Sequence, residues 1–442
     1  MKREEKIENI LNDLVKSGSN ISYLDDLKKD SLELLKKDSS LSELMDDIAK
    51  NLREVSLEFL NGKNDFDINY ISGISSCIYL PSFDGSGEIK LKFIGGNKSR
   101  NFDIKVNEHT MFDVASITKL FTLVLAFQCE NIGFDLNARV KDINPDYDLE
   151  DFTFNDLIRL CGELRTKGNV AQAHSKEEAY AILKTLYLNS NTREENQYTD
   201  FGAIVIGESL VKFLNNKFNC QWSLIDWMKT LIFYNINMRH TKFNPNDPNI
   251  SGNGNSIKVH DPKARILGGA VGSAGIFTTS EDLARLAKSL FSVNYMNAEI
   301  EKFGTLGLTR EQLGRFGEIT YPNAKQCNKG NLGIYVKHPL GFAKTYTPSE
   351  FSTGSFSHQG WTGSVATFDP NNLIHQNILV NAIYESDNKD LVRNDKPVGF
   401  GDAFDEYLKQ MTINTMLIFV AKKYYNTYCN SKEDVDKTYK LK

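Results

Sequence analysis

The sequence predicts an α+β fold, an antiparallel β-sheet flanked by helices, with an all-helical subdomain and an N-terminal helical extension. Three observations predict it. Turn-bounded runs of strand-forming residues lie on both sides of the middle of the chain, at 73–96 and 363–384, and such runs read as strands. Between them, from 131 to 274, the pattern is mostly helix and loop. Before residue 65 the apolar positions recur every three or four residues, the period of an amphipathic helix. The expected division is a helical extension over 1–65, a sheet domain built from 66–130 and 275–442, and a helical subdomain over 131–274.

The extension is rich in Lys, Asp, Glu and Leu. Ile7, Ile10, Leu11 and Leu14 form one stripe, and Leu41, Leu44, Met45, Ile48 and Leu52 a second. Such stripes must be covered, by the main domain or by a second copy of the chain, so a homo-oligomer contact through these helices is one expectation. At Ile71 the period changes. Gly73 to Leu80 and Ile89 to Gly96, joined by Asp84-Gly85-Ser86-Gly87, predict a hairpin. A helix follows in which Ile117, Leu120, Phe121, Val124 and Gln128 share one stripe and Gly133 marks the end.

In the helical region, Lys176 to Leu183 and Trp222 to Met238 read as helices, and Asn244 to Asn255 as a long loop. Ser280, before Glu281 and Asp282, is the expected N-cap of the next helix. Strands return at Gly363 to Phe368 and Asn377 to Tyr384, with a turn at Asp369-Pro370-Asn371-Asn372 between them, and a closing helix is expected over Thr412 to Tyr425.

Composition narrows the function. With 442 residues and 40% hydrophobic content the chain can bury a large core. A net charge of −5 gives no basic field for phosphate, so neither nucleic acid nor an anionic membrane surface is an expected partner. The start, Met1 to Lys6, is charged and has no apolar signal region after it, and no apolar run approaches the ~20 residues of a membrane helix. This predicts a cytoplasmic protein. Six scattered cysteines, without Cys-x-x-Cys or His-Glu-x-x-His, read as thiols rather than a disulfide or metal framework. No cofactor and no metal are expected.

Three patterns carry chemistry: Ser116-Ile117-Thr118-Lys119, then Tyr198-Thr199-Asp200, then His358-Gln359-Gly360. Alone, each is weak. Ser-x-x-Lys also occurs at Ser209–Lys212 and Ser386–Lys389, and Tyr-x-Asp/Asn recurs, for example at Tyr23–Asp25 and Tyr187–Asn189. Order and flanking text raise the signal: Phe112 to Thr122, Tyr198 to Glu208, and His358 to Ser364 running into Phe368-Asp369-Pro370. On these residues the chain, over about 70 to 400, resembles the class C β-lactamase-related family of serine hydrolases, which includes D-alanyl-D-alanine carboxypeptidases, penicillin-binding-protein-like proteins and esterases. The resemblance implies a β-lactamase/transpeptidase-like fold with the site in the groove between sheet and helical subdomain. The stretches Val259 to Arg265 and Gly268 to Phe277 are also family-like.

On a helix, Ser116 and Lys119 lie about one turn apart on one face, so the ammonium can reach the hydroxyl. A serine at a helix start also meets free backbone N–H groups. By resemblance Tyr198 faces the nucleophile, and whether Lys119 or Tyr198 takes its proton stays open. Asp200 stands where many relatives have Asn, and a carboxylate there can pair with Lys119 or orient a substrate amine. His358 is expected on an edge strand bordering the cleft, where many β-lactamases carry lysine. Gly360 is expected to let that strand approach substrate, and the Trp361 N–H to join that of Ser116 in an oxyanion hole. Where relatives usually read His-Thr-Ser-Gly, this chain has Cys161-Gly162-Glu163-Leu164, which bears on substrate class, and Cys161 itself reads as core.

The implied reaction is acyl transfer to Ser116 and hydrolysis of the acyl-enzyme, on a small ester or peptide-like amide. The esterase reading leads because peptidoglycan lies outside the membrane. D-alanyl peptidase or penicillin-binding activity is the alternative, and a catalytically idle binding protein of the same fold is the rival from another class.

Overall fold

The computed structural model describes residues 41–61, 71–81, 87–99, 102–189, 197–243, 247, 249–251, 259–295, 305–318, 331–336 and 351–381, with short pieces between 392 and 441. The main sheet contains β1 (Gly73–Pro81), β2 (Glu88–Ser99), β3 (Tyr335–Val336), β4 (Phe356–Gln359), β5 (Val365–Asp369), β6 (Ile374–Val380) and β7 (Thr438–Leu441), in the spatial order β7-β2-β1-β6-β5-β4-β3. The hairpin pairs Pro81 with Glu88 and Gly73 with Gly96. Strand β6 then returns to lie against β1, pairing Cys77 with Asn377, so the two predicted strand regions close one sheet. The antiparallel expectation holds for β1 to β6. At the far edge β7 runs parallel to β2, a strand the short Thr438-Tyr439-Lys440-Leu441 segment did not announce.

Alternation along the strands assigns the two covering layers. Ser76 and Gln376 face one side. There Ser76 Oγ accepts from Tyr407 Oη at 3.0 Å, Tyr407 Oη also bonds Ser56 of helix α1 (Leu41–Asn61) at 2.9 Å, and Gln376 meets Thr412 and Thr415. Met45, Ile48, Leu52 and Phe59 of α1 are buried in this layer, so the second predicted stripe is covered by the chain's own sheet at Met45, Ile48 and Leu52. The first, around Ile7 to Leu14, lies outside the described residues. The described positions from 411 to 419, apart from 413, are helical, in line with the expected closing helix.

Ser75 and Asn377 face the opposite side. Ser75 Oγ bonds Ser280 Oγ at 2.6 Å, Asn377 donates to the Ser280 carbonyl at 3.0 Å, and Lys90 and Lys92 of β2 pair with Glu281. All of these reach α5 (Ser280–Tyr295). Its cap is Thr279, whose hydroxyl accepts from the Asp282 N–H at 3.2 Å. This corrects the Ser280 expectation by one residue, since the Ser280 hydroxyl is used on the sheet.

Helix α2 (Thr118–Asn131) runs through the core, and Thr118 to Phe127 are buried on every face. The predicted stripe was too narrow: Leu120 to Phe127 is nearly continuous in apolar residues, as a helix enclosed on all sides requires. In the helical region the structure has Lys176–Leu183, α3 (Phe201–Phe218), Leu224–Met228 continuing into a π-turn at Lys229–Phe233, and α4 (Pro262–Ile266). The predicted helix from Trp222 to Met238 is therefore shorter and broken. Most of the predicted Asn244 to Asn255 loop lies outside the described residues. Gly272 packs against α3 so closely that a Cβ would stand 2.0 Å from the Ala203 carbonyl oxygen, which no side chain tolerates. Cys77, Cys129 and Cys161 are buried and Cys220 is partly so, and burial pushes the Cys77 and Cys129 thiols up to about 12.

Candidate active site

Ser116 sits in a 3-10 turn, Ala115–Ile117, that leads directly into α2. The turn begins with Ala115 at φ +43°, a left-handed conformation that a non-glycine residue adopts only when its surroundings hold it there. Asp113 does so: its Oδ1 accepts from the Ala115 N–H at 2.8 Å and its Oδ2 from the His260 N–H at 2.8 Å. Behind the turn, Val114 N–H donates to the Ile276 carbonyl at 3.1 Å and Ile276 N–H to Thr118 Oγ1 at 3.3 Å.

Lys119, fully buried one turn later, gathers the predicted residues. Its Nζ lies 2.9 Å from Ser116 Oγ, 2.8 Å from Tyr198 Oη, 2.8 Å from Asp200 Oδ1 and 3.4 Å from the Ser273 carbonyl oxygen. Tyr198, 40% exposed, donates its hydroxyl to Ser116 Oγ at 3.0 Å. Ser116, Lys119, Tyr198 and Asp200 thus meet at one point, although two of them come from within the helical region, 79 and 81 residues after Lys119. Gly272 has a part in this, since its close approach to α3 carries the Ser273 carbonyl to Lys119.

Of the two uses open to Asp200, the structure has the lysine pair. Its second oxygen, Oδ2, is 2.9 Å from Lys263 Nζ, so both oxygens are engaged by cations. Burial alone would raise the Asp200 carboxyl, but Lys119 and Lys263 together hold it well below the ordinary carboxylate range. Burial would likewise pull the Lys119 ammonium down, yet Asp200 and Tyr198 outweigh it and hold Lys119 well above the ordinary lysine range. Lys263 was not among the sequence-derived candidates. It lies in the Val259 to Arg265 stretch, which resembled the family without pointing to a charge partner.

The third motif arrives on β4. Gly360 is packed so that a Cβ would stand 2.4 Å from the Val114 carbonyl oxygen, and Thr362 Oγ1 donates to the Asp113 carbonyl at 2.6 Å. The close approach that Gly360 permits is therefore to the backbone just before Ser116, which is nearer in than the substrate contact expected. Trp361, between these two clamps and 37% exposed, lies against His260 with ring centroids 4.6 Å apart and the planes tilted by 43°. His358 differs from expectation. Its strand is second from the edge of the sheet rather than the edge itself, β3 lying outside it and, among the described residues, pairing with Phe356 and Ser357. The imidazole, however, is 1% exposed, with Nδ1 2.9 Å from the Gln359 carbonyl oxygen and Nε2 3.2 Å from that of Leu332. A neutral ring donates to one of these two carbonyls, and its burial withdraws it from a substrate anion here. Cys161 is 5% exposed within the hydrophobic core. A separate cavity of about 460 Å³, lined by Tyr180, Glu208, Leu224 and Gly272 among others, contains none of the motif residues.

Comparison with known proteins gives this chain a family. The Beta-lactamase family model matches residues 86–398, well over half of the chain. The chain belongs to the β-lactamase family. A curated protein of Salmonella gallinarum (strain 287/91 / NCTC 13346), named "Putative D-alanyl-D-alanine carboxypeptidase", is 24% identical over 321 residues, covering 63% of this chain and 70% of that protein. One of the same name from Salmonella agona (strain SL483) is 24% identical over 322 residues, with the same coverage. Among solved structures, a class C beta-lactamase superposes with a TM-score of 0.59 at 15% identity, over 88% of this chain and 98% of that one. Another, in complex with cefoxitin, gives 0.57 at 15% identity over 85% and 99%. At such identity these structures bear on the fold, which they share with this β-lactamase-family chain. Among the described residues no helix is long and apolar enough to cross a membrane.

Proposed function

We propose that this chain is a serine hydrolase that forms an acyl-enzyme on Ser116 and acts on ester or small amide substrates, with esterase-like activity foremost. The observation that carries the reading is the pair of contacts on one oxygen, Lys119 Nζ at 2.9 Å and Tyr198 Oη at 3.0 Å from Ser116 Oγ. A nucleophilic hydroxyl needs a proton acceptor within this reach. Lys119 is held as an ammonium by Asp200, and its protons point to Ser116, Tyr198 and Asp200, so it serves as a fixed cation. That leaves Tyr198, whose oxygen lies 3.0 Å from Ser116 Oγ and 2.8 Å from Lys119 Nζ, to pass the proton between Ser116 and the leaving group.

The oxyanion would be met by the Ser116 and Trp361 N–H groups. Support comes from the two clamps, Gly360 on Val114 and Thr362 on Asp113, which lock the two segments together on either side of Trp361. With the His358 ring buried against the Gln359 and Leu332 carbonyls and both Asp200 oxygens taken by lysines, neither residue is left to recognise a substrate carboxylate or amine. This favours a neutral ester or amide. The D-alanyl peptidase reading draws its support from the names of the two Salmonella relatives. The two readings separate on substrates: a short-chain nitrophenyl ester should be turned over faster than a D-alanyl-D-alanine peptide, and D-alanine release as fast as nitrophenol release would overturn the esterase reading; nitrocefin turnover should be poor beside that of the ester.

A further inference from the structure

We infer that Lys263 is a positioning residue of the Ser116 centre, its ammonium balancing the Asp200 carboxylate so that the centre keeps the net charge it would have with an uncharged residue at position 200. The inference rests on the acylation reading above. Asp200 splits its oxygens between two lysines, 2.8 Å to Lys119 and 2.9 Å to Lys263. Lys119, Asp200 and Lys263 together carry one positive charge. An asparagine at 200 with no lysine at 263 would leave the same single charge on Lys119. An aspartate alone would cancel Lys119 and remove the positive field beside the Tyr198 hydroxyl, 2.8 Å from Lys119 Nζ.

The position of Lys263 is built. It lies in α4, whose first turn is capped by Asp261 Oδ1 accepting from the Ala264 N–H at 2.7 Å. Asp261 Oδ2 stands 3.8 Å from Lys263 Nζ, a looser contact than that of Asp200. Burial would lower the Lys263 ammonium, but Asp200 and then Asp261 raise it above the ordinary lysine range, so it is charged throughout the neutral range. Other charged or titratable groups around the centre, among the described residues, are Asp113 beneath the turn, Asp261 and Arg265 on α4, His260 under Trp361, and His358 on β4. Burial and Arg265 bring His260 down to about 4, so it is neutral at pH 7. Of these, Asp261 responds to both positions: burial and Asp200 raise its carboxyl while Lys263 lowers it, so its response is part of each single variant's profile and is balanced in the double variant.

The test is the pH dependence of fluorophosphonate acylation in the parent, Lys263→Met, Asp200→Asn and the double variant. Removing Lys263 alone should move the acid limb of the profile up by about one pH unit, the order expected for one unit charge lost at ~6–8 Å in a half-buried site, and slow acylation ~10-fold below the midpoint. Asp200→Asn alone should move it down. The double variant, with the parent's net charge, should return to the parent's profile. A purely structural lysine would give slower labelling without this ordering. An unmoved profile in Lys263→Met, or a double variant no nearer the parent than the single, overturns the inference. Urea unfolding of the same four proteins needs no activity: Lys263→Met should destabilise the parent and leave the Asp200→Asn background nearly unchanged, whereas additive losses count against the pair. A parent not acylated at any pH would overturn the hydrolase reading instead, and the charge balance would then be decided by the unfolding cycle.

Discussion

Replacing Gly360 with alanine should separate the end of β4 from the turn that carries Ser116. The added Cβ would stand 2.4 Å from the Val114 carbonyl oxygen and 3.0 Å from its carbon, and backbone on both sides cannot yield as a flexible side chain would. Relief to an ordinary contact needs the two segments to part by ~1 Å, against a Thr362–Asp113 hydrogen bond of 2.6 Å that resists. A misplacement of ~1 Å at a reacting centre costs on the order of 10²-fold, and complete loss of one oxyanion donor ~3 kcal/mol. The expected result is a kcat for nitrophenyl ester hydrolysis lowered 10²- to 10³-fold, KM changed much less, and a stability loss of about 1–3 kcal/mol from overpacking. Steady-state kinetics and urea unfolding on the same preparation separate the two effects. A folded Gly360→Ala protein with kcat within about threefold of the parent would refute the role given to the Trp361 N–H.

Three further outcomes follow from the geometry. Tyr198→Phe and Lys119→Met should each remove most acylation and the double variant should lose little more, because groups acting on one proton are strongly non-additive; losses that multiply in labelling rate would count against the shared contact. His375 is buried, with Nδ1 donating to the Thr367 carbonyl at 2.8 Å and Nε2 accepting from Asn377 at 2.9 Å, and burial brings it from 6.5 down to about 3. The unfolded chain therefore binds the extra proton first, so this contribution is complete above pH 6.5 and is lost as pH falls from 6.5 towards 3, on the order of a few kcal/mol. His375→Gln should flatten the stability–pH curve in that window, and an unchanged slope would exclude His375 as its source. A chain beginning near Asp67 loses the α1 cover of the sheet; with Met45, Ile48, Leu52 and Phe59 each worth ~1.5–3 kcal/mol of burial, the loss rivals the whole stability of a domain. It should melt far lower or aggregate, whereas a chain beginning at Leu41 should keep Ser116 labelling, and loss of labelling in a well-folded Leu41 chain would place the first 40 residues at the cleft.

Much of the site was legible because its chemistry is compressed into short motifs. Ser116 and Lys119 are three residues apart and any helix brings them together. Tyr198 and Asp200 were found by their flanks, and only the fold could show that they reach Lys119. Lys263 went unassigned because a pairing between 200 and 263 has no local signature: a lysine in a short Asp-capped turn looks like surface until the turn is placed. His358 shows the opposite case. Its motif position is clear, but which way an imidazole at the end of a strand turns depends on the Leu332 carbonyl, 26 residues away. Gly360 was singled out correctly, yet its neighbour proved to be Val114. The hairpin and the β5–β6 turn were legible from turn residues and alternation. Four-residue β7 gave too short a pattern to read, and the burial of α2 on every side hid behind a plausible stripe.

The central claim is that Ser116 is the nucleophile. Incubating the protein with a fluorophosphonate and mapping its peptides by mass spectrometry tests this most directly. The account predicts one covalent adduct, on Ser116, absent in Ser116→Ala although that variant folds as the parent does. An adduct on Ser209 or Cys161, or labelling that persists in Ser116→Ala, would contradict it.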